Sequence, residues 1–207
     1  MSEIQLVFPL SWTPLAKKVW GYYADAFHRL WDIDVEASAL LGAFGRKIAD
    51  AEFIEHGPKM YEMSVAQPIR NAFYMAGDIE GRWVKLRDRG IKEPVLDWGC
   101  GVGFTLKWMR ELGFLGLWAY EPPGIQRKVI SEVGINMVPD RPRPSTILCI
   151  NVLEHLANPW ATLDYLRSLG GRLIANIDTG ESKQHIAPQY IRQQIAQSLK
   201  QNGESLD

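Results

Sequence analysis

Cysteine and long apolar runs are both scarce in this chain. Two cysteines, Cys100 and Cys149, occur among 207 residues, so a framework of structural disulfides is excluded and a reducing, cytoplasmic location is expected. No apolar run reaches the roughly 20 residues that a membrane-spanning helix needs, so no membrane contact is expected. The first residues also lack the basic start and long apolar core of a secretory signal.

The chain also has no large excess of basic or of acidic residues. The 23 basic and 24 acidic residues leave a formal net charge of −1. A protein that binds nucleic acid by neutralising phosphates needs a basic field, so this balance argues against a nucleic-acid partner. Hydrophobic residues make up 46% of the chain, which suffices for the core of one α/β domain with an appendage.

Glycine, in contrast, is concentrated in one stretch. Asp97 ends a short apolar run, and Gly99, Gly101 and Gly103 follow at alternate positions before a helical pattern begins. Glycine is required where the backbone has a positive φ or where a ligand approaches the main chain closely. Open α/β sheets bind ligands at the carboxyl ends of their strands. The stretch therefore predicts a strand, a ligand-contacting turn and a helix start.

The spacing of these glycines narrows the choice of ligand. Phe104 stands where a dinucleotide-binding fingerprint has Gly or Ala, which disfavours a nucleotide-dependent oxidoreductase, and no phosphate-binding loop of the form G-x-x-x-x-G-K-[ST] occurs. The order Asp-x-Gly-x-Gly-x-Gly over residues 97–103 resembles motif I of the class I, Rossmann-like methyltransferases that use S-adenosylmethionine. This resemblance implies an α/β fold with a doubly wound, mainly parallel sheet and S-adenosylmethionine as the cofactor.

The resemblance also assigns cofactor contacts. It implies that Asp97 holds the methionine ammonium group and that the turn accommodates the methionine and adenosine portions. The turn residues are Gly99, Cys100, Gly101 and Gly103. Glu121 follows the next predicted strand, where nucleotide-binding folds place an acidic residue on the ribose hydroxyls. Asp140, after the third predicted strand, is the nearest match to the residue that binds the adenine amino group.

A second stretch similar to the family runs over residues 151–156. Asn151 precedes Val-Leu-Glu-His-Leu, a run that many small-molecule methyltransferases carry where the chain passes closest to the transferable methyl group. His155 is the candidate base, because an imidazole accepts protons near neutral pH. It could instead pack beside the cofactor. His185 is a second acid–base candidate. No metal site is predicted at Glu154 and His155, because no third ligand stands at a recognisable spacing.

Residues 1–90 are predicted to form a helical segment without strands. Apolar spacing and stop signals predict helices over 16–30, 35–55 and 68–90. The resemblance implies a lid that covers the cofactor and shapes the substrate pocket, with Tyr22 and Tyr61 as pocket candidates. These helices could equally cover one face of the sheet.

Residues 91–207 are predicted to form the S-adenosylmethionine-binding domain. Strands are predicted within 95–98, 115–120, 135–138, 145–152 and 172–178, with helices between them. A helix over 188–201 follows the last strand, so the family's final strand hairpin is expected to be shortened or missing. An uncovered sheet edge favours pairing with another chain, so a homodimer or a partner subunit is a hypothesis.

The leading prediction is methyl transfer to an O, N or C nucleophile of a small molecule. A nucleic-acid amino-methyltransferase would show prolines and an aromatic residue after Asn151, and their absence leaves no device for stacking on a flipped base. The alternatives are a catalytically silent cofactor-binding subunit of a methyltransferase complex and a protein or nucleic-acid methyltransferase.

Overall fold

The computed structural model describes residues 12–33, 54–59 and 64–206. Its centre is a sheet of five parallel strands in the order β3-β2-β1-β4-β5. The strands are β1 (Val95–Trp98), β2 (Leu117–Tyr120), β3 (Asn136–Met137), β4 (Thr146–Cys149) and β5 (Arg172–Ala175). The predicted α/β class with a mainly parallel sheet is confirmed.

The central strands are buried on both faces. Leu96 of β1 pairs with Trp118 on one side and with Ile147 on the other, and every residue of β4 is buried. Both strands are apolar runs of the kind that parallel sheets covered by helices require. Because all five strands run in the same direction, their carboxyl ends, including Asp97 and the residues that follow it, meet at one edge.

Six α-helices lie wholly within the described residues. They are α1 (Pro14–Trp31), α2 (Ala66–Asp88), α3 (Phe104–Glu111), α4 (Ile125–Glu132), α5 (Pro159–Ser168) and α6 (Gln189–Gln201). The Thr13 hydroxyl caps α1 by accepting a hydrogen bond from the Ala16 N–H at 3.3 Å, and proline occupies the first helical position. The predicted helices in these ranges are confirmed within two residues at each end.

The helices α1 and α2 pack against each other and against α3 and α4. Their apolar side chains belong to the same hydrophobic cluster as Val95, Phe104 and Ile174. Trp20 and Phe27 of α1 are fully enclosed in that cluster. The N-terminal helices therefore bury a common core with one face of the sheet.

Two predicted features of the N-terminal segment fall mostly outside the described residues. Of the predicted helix 35–55, only residues 54 and 55 are described, and both are helical. A short 3₁₀ turn, Gly57–Lys59, follows. Tyr61 also lies outside the described residues.

The predicted strands over 145–152 and 172–178 are shorter in the structure. The first ends at Cys149, because Asn151 adopts a φ of 55° and Leu153–His155 form a 3₁₀ turn. The second ends at Ala175. An apolar run marks burial but does not distinguish a strand from the buried turn that follows it.

The outer edge of β5 is partly covered by the chain itself. Ser205 forms an isolated parallel bridge with Ala175, whose N–H donates to the Glu204 carbonyl at 2.8 Å. Leu206 returns a hydrogen bond to the Ala175 carbonyl at 2.8 Å. Within residues 64–206 no antiparallel strand joins the sheet. No helix in the described ranges is both long enough and apolar enough to cross a bilayer.

Candidate active site

The glycine turn after β1 has the backbone that its sequence predicts. Gly99, Gly101 and Gly103 have φ values of 72°, 58° and 77°, which an L side chain rarely adopts. A Cβ at Gly99 would also lie 2.6 Å from Val152 Cγ2. Gly103 is the residue immediately before α3. The turn thus presents bare main chain at the amino end of that helix.

Hydrogen bonds from the end of β2 hold the turn in place. The N–H groups of Gly99 and Cys100 donate to the Tyr120 carbonyl at 2.7 and 3.1 Å. The Gly101 N–H donates to Glu121 Oε2 at 2.8 Å. The Arg127 side chain donates to the main-chain carbonyl of Glu121 at 2.6 Å. The residue predicted to hold the ribose is therefore bonded directly to the turn predicted to hold the rest of the nucleoside.

The N-terminal helix α1 also holds this turn. The Tyr23 hydroxyl donates to the Val102 carbonyl at 3.0 Å, and both residues are buried. The Tyr23 ring stacks on Phe104 with a centroid separation of 5.0 Å. Phe104, the residue that departs from the dinucleotide fingerprint, thus anchors an appended helix.

A cavity of about 910 Å³ opens beside the turn, which lies within the usual range for small-molecule sites. The ends of β1 and β2 form one wall, and α2 forms another. The loops after β4 and β5 close the opposite side. Among the predicted residues, the lining includes Asp97, Gly99, Cys100, Gly101, Glu121, Asn151, His155 and His185.

Two carboxyl groups face this cavity, one of them buried and the other partly buried. Asp97 is 5% exposed, and burial raises its pKa to about 7 despite the opposing effect of the Arg82 guanidinium. Burial likewise raises the pKa of Glu121 to about 7, while the Gly101 N–H and Arg127 act in the opposite direction and Asp97 adds to the rise. Both anions are costly in this position without a compensating group.

The opposite wall contains a cluster of one carboxyl group and two imidazoles. Glu154 lies in the 3₁₀ turn after β4, is 1% exposed, and burial raises the pKa of its carboxyl group. The His155 and His185 rings are 5.4 Å apart, centroid to centroid. Two main-chain bonds to the Glu154 carbonyl, from Ile186 at 2.9 Å and Ala187 at 3.1 Å, bring the loop that carries His185 to this turn.

The structure does not bring three predicted residues to the cavity. Gly103 is not among the described lining residues, and a Cβ there would meet Ile135 and Ile130 instead. Asp140 is exposed and is not among the described lining residues. Tyr22 is also not among them; it lies outside the cavity, where Lys107 Nζ is 4.0 Å from its ring centroid. Tyr22 and Tyr23 are adjacent on α1, so their side chains point to different sides of the helix, and Tyr23 is the one that reaches the turn.

Polar residues of α2 in the cavity wall were not predicted. They recur at helical spacing and are Gln67, Arg70, Asn71, Tyr74 and Arg82. That spacing places them on one helix face, because residues three and four apart lie together, but it does not indicate that this face meets the cavity. Gln126 of α4 also lines the cavity and is buried. No polar residue stands three or four positions from it in the sequence, so no pattern pointed to this position.

Taken together, a parallel sheet, a glycine turn after β1 and an acidic residue after β2 are the arrangement of the Rossmann-like folds that bind nucleotides. The chain matches the family described as methyltransferase domain over residues 20–203. It therefore belongs to that family and is a methyltransferase of the class that uses S-adenosylmethionine. Searches among curated proteins and among solved structures gave no match.

Proposed function

We propose that this protein binds S-adenosylmethionine in the cavity beside the glycine turn and transfers its methyl group to a small molecule, at an O, N or C nucleophile. The observation that carries the proposal is the placement of a buried carboxyl group, Asp97, and a partly buried one, Glu121, beside a turn of bare main chain. The cofactor has a complementary set of groups, namely an ammonium, a sulfonium and a ribose diol.

Asp97 suits the ammonium group of the methionine portion. Its carboxyl group lies at the end of β1, buried, with a pKa raised to about 7. An opposite charge within a few ångströms favours the ionised form of a carboxyl group, so a bound ammonium would lower this pKa. The cofactor thereby offsets a desolvation cost that the protein bears without it.

Glu121 suits the ribose. Its Oε2 accepts the Gly101 N–H, so the carboxylate plane is fixed against the turn. We propose that the other carboxylate oxygen accepts hydrogen bonds from the sugar hydroxyls, as in other nucleotide-binding folds. Gly101 leaves room for the nucleoside to approach the main chain, because the groups that a Cβ there would meet, Gln126 and Asn71, line the cavity.

The acceptor is proposed to lie between α2 and the loops after β4 and β5. The residues around this space are Arg70, Asn71 and Tyr74 of α2 on one side and Glu154 and His155 on the other. A cavity volume of about 910 Å³ admits a small molecule together with the cofactor. The activated methyl group comes with the cofactor, so the protein's main task is to align the nucleophile with the sulfonium, a positioning effect worth roughly 7–11 kcal/mol.

Calorimetric titration with S-adenosylmethionine, S-adenosylhomocysteine and NAD tests the cofactor assignment. We expect both sulfur nucleosides to bind with one site per chain and NAD not to bind. Gly101→Val should abolish binding, because a side chain there lies at a φ of 58° and meets Gln126.

Gly21→Ala is the matched control, since a Cβ there meets nothing within 4 Å. Preference for NAD, or unchanged affinity in folded Gly101→Val, would overturn the assignment. Turnover is then tested with a panel of O, N and C acceptors. Cofactor binding without turnover on any of them would favour a catalytically silent subunit.

A further inference from the structure

The cavity wall opposite the glycine turn carries three groups that could ligate a metal ion. Glu154, His155 and His185 each offer one ligand atom, and these atoms all lie within 4.8 Å of one another. Glu154 and His155 are neighbours in the chain, whereas His185 comes from the loop after β5. Only the folded chain brings the third group to the other two.

We propose that Glu154, His155 and His185 form a binding site for a divalent metal ion that prefers imidazole nitrogen, such as Zn²⁺. Two imidazoles and one carboxylate are a common set of protein ligands for catalytic zinc, where a fourth position is left for water or substrate. Ligand bonds of about 2.0–2.2 Å hold donor atoms no more than about 4.4 Å apart, so atoms that lie within 4.8 Å of one another need at most small side-chain adjustments to bind one ion.

The Glu154 carboxyl group supports a ligand at this position independently. Its Oε2 is buried and has no hydrogen-bond partner, although buried polar atoms are nearly always partnered. The residue is 1% exposed, so bulk solvent does not reach this oxygen. A metal ion would satisfy this oxygen and compensate the charge of the carboxylate.

The His155 ring makes a hydrogen bond of the kind that orients metal-ligating histidines. Its Nδ1 lies 3.0 Å from the Gln184 carbonyl oxygen, to which it can only donate. That bond selects the tautomer with the lone pair on Nε2. Ligating histidines commonly donate their other N–H to a main-chain carbonyl, which orients the ring.

The His185 ring has a comparable bond and one competing contact. Its Nδ1 lies 3.0 Å from the Gly180 carbonyl oxygen, and the tautomer that donates to this oxygen has its lone pair on Nε2. Arg192 also contacts Nδ1 and favours the opposite tautomer. Metal binding therefore requires Nδ1 to keep the Gly180 bond and release Arg192. Asp178 Oδ2, 3.7 Å from Nε2, adds negative charge beside the same position.

The metal site adds a catalytic step to the proposed function, and this chemical role rests on the proposed function. Binding to the ion would lower the pKa of an acceptor hydroxyl, as it lowers the pKa of a bound water molecule. The hydroxyl would then release its proton to the solvent more readily. The oxygen then forms a bond to the methyl carbon while the carbon–sulfur bond breaks, and that electron pair stays on sulfur. The products are the methyl ether and S-adenosylhomocysteine. Among O, N and C nucleophiles, the site favours oxygen.

Calorimetric titration of the metal-stripped full chain with Zn²⁺ alone tests the site. We expect one ion per chain, with affinity reduced about a hundredfold or more in Glu154→Gln and in His185→Ala. His28→Ala and His56→Ala are the matched controls, because both histidines are exposed and lie outside the cluster. Circular dichroism establishes that each variant is folded, and Glu154→Gln preserves the side-chain shape.

A second readout is thermal stability, because an ion that binds only the folded chain raises Tm. We expect Zn²⁺ to raise Tm of the wild type and of both controls but not of the cluster variants. Absence of one-to-one binding in the folded wild type would overturn the site. So would equal affinity in the wild type and the cluster variants, or binding of Mg²⁺ in preference to Zn²⁺.

Titration of the same samples with S-adenosylmethionine separates the two proposals. Cofactor binding without Zn²⁺ binding would overturn the metal site alone. Zn²⁺ binding without cofactor binding would overturn the proposed function and support the metal site.

Discussion

The main-chain N–H of Gly101 donates a hydrogen bond to the Glu121 carboxylate at 2.8 Å. This bond joins the glycine turn after β1 to the acidic residue after β2, so the two parts of the proposed cofactor site are held at a set separation. The separation depends on the pairing of β1 with β2, in which Trp98 lies beside Tyr120.

Glu121→Gln should weaken S-adenosylmethionine binding without unfolding the protein. The glutamine oxygen can still accept the Gly101 N–H, but the charge that strengthens bonds to the ribose is lost, which corresponds to roughly tenfold or more in Kd. Calorimetry measures the affinity, with Glu80→Gln as the control because that side chain is exposed on α2. Equal affinity in the two variants would show that Glu121 does not contact the cofactor.

Asp97→Asn should stabilise the protein without cofactor at alkaline pH. Asp97 has its pKa raised from 3.8 to about 7 in the folded state, so the folded chain binds the proton more tightly than the unfolded chain between these values. The stabilisation of the folded state by this bound proton is complete below the unfolded pKa. It is lost as pH rises through about 7, which lowers the free energy of unfolding by up to about 4 kcal/mol. Asparagine does not ionise and avoids this cost.

Urea unfolding from about pH 5 to about pH 8 measures this effect. The free energy of unfolding of Asp97→Asn should exceed that of the wild type at the higher pH, and the difference should shrink as pH falls. Asp25→Asn is the control, because Asp25 is exposed on α1. A difference independent of pH would mean that Asp97 does not titrate in this range.

Cofactor affinity itself should rise with pH across neutrality. Asp97 and Glu121 both have pKa values raised to about 7, and the proposed contacts to the ammonium and ribose need the ionised forms. Protonation below about pH 7 therefore competes with binding. Calorimetry at constant ionic strength should show a lower Kd at about pH 8 than at about pH 6. Asp97→Asn should show a smaller dependence, and an identical dependence would exclude Asp97 as its source.

Tyr23→Phe should weaken the attachment of the glycine turn to α1 and lower the stability of the protein. The substitution removes the buried hydrogen bond to the Val102 carbonyl at 3.0 Å and leaves the carbonyl unsatisfied, at a cost of about 1–3 kcal/mol in unfolding free energy. The ring still stacks on Phe104. Chemical unfolding measures the loss, and Tyr190→Phe is the control because that side chain is 62% exposed. Equal stability in both variants would show that the bond contributes nothing.

Much of the fold could be predicted because it depends on local patterns. Apolar runs identified all five strands. The glycine turn was also predictable, since three positive φ values require glycine at those positions. The ends of β4 and β5 were not predictable, because Asn151 takes a positive φ that its sequence context does not indicate.

The site was predictable only in part. Asp97 and Glu121 follow adjacent strands, so the fold itself places them together. Asp140 follows β3, an edge strand of two exposed residues, and the loop after it does not return to the cavity. The cavity wall formed by α2 depends on how the helix packs against α3 and α4, which its own spacing does not specify.

The sequence by itself determined the parallel sheet, the class of enzyme and the turn proposed to hold the cofactor, because each depends on residues close together in the chain. Only the tertiary structure decided that α1 anchors the turn through Tyr23, that α2 lines the cavity, and that His185 lies beside Glu154 and His155. These contacts join segments far apart in sequence, and they follow from burying a shared hydrophobic core rather than from any local pattern.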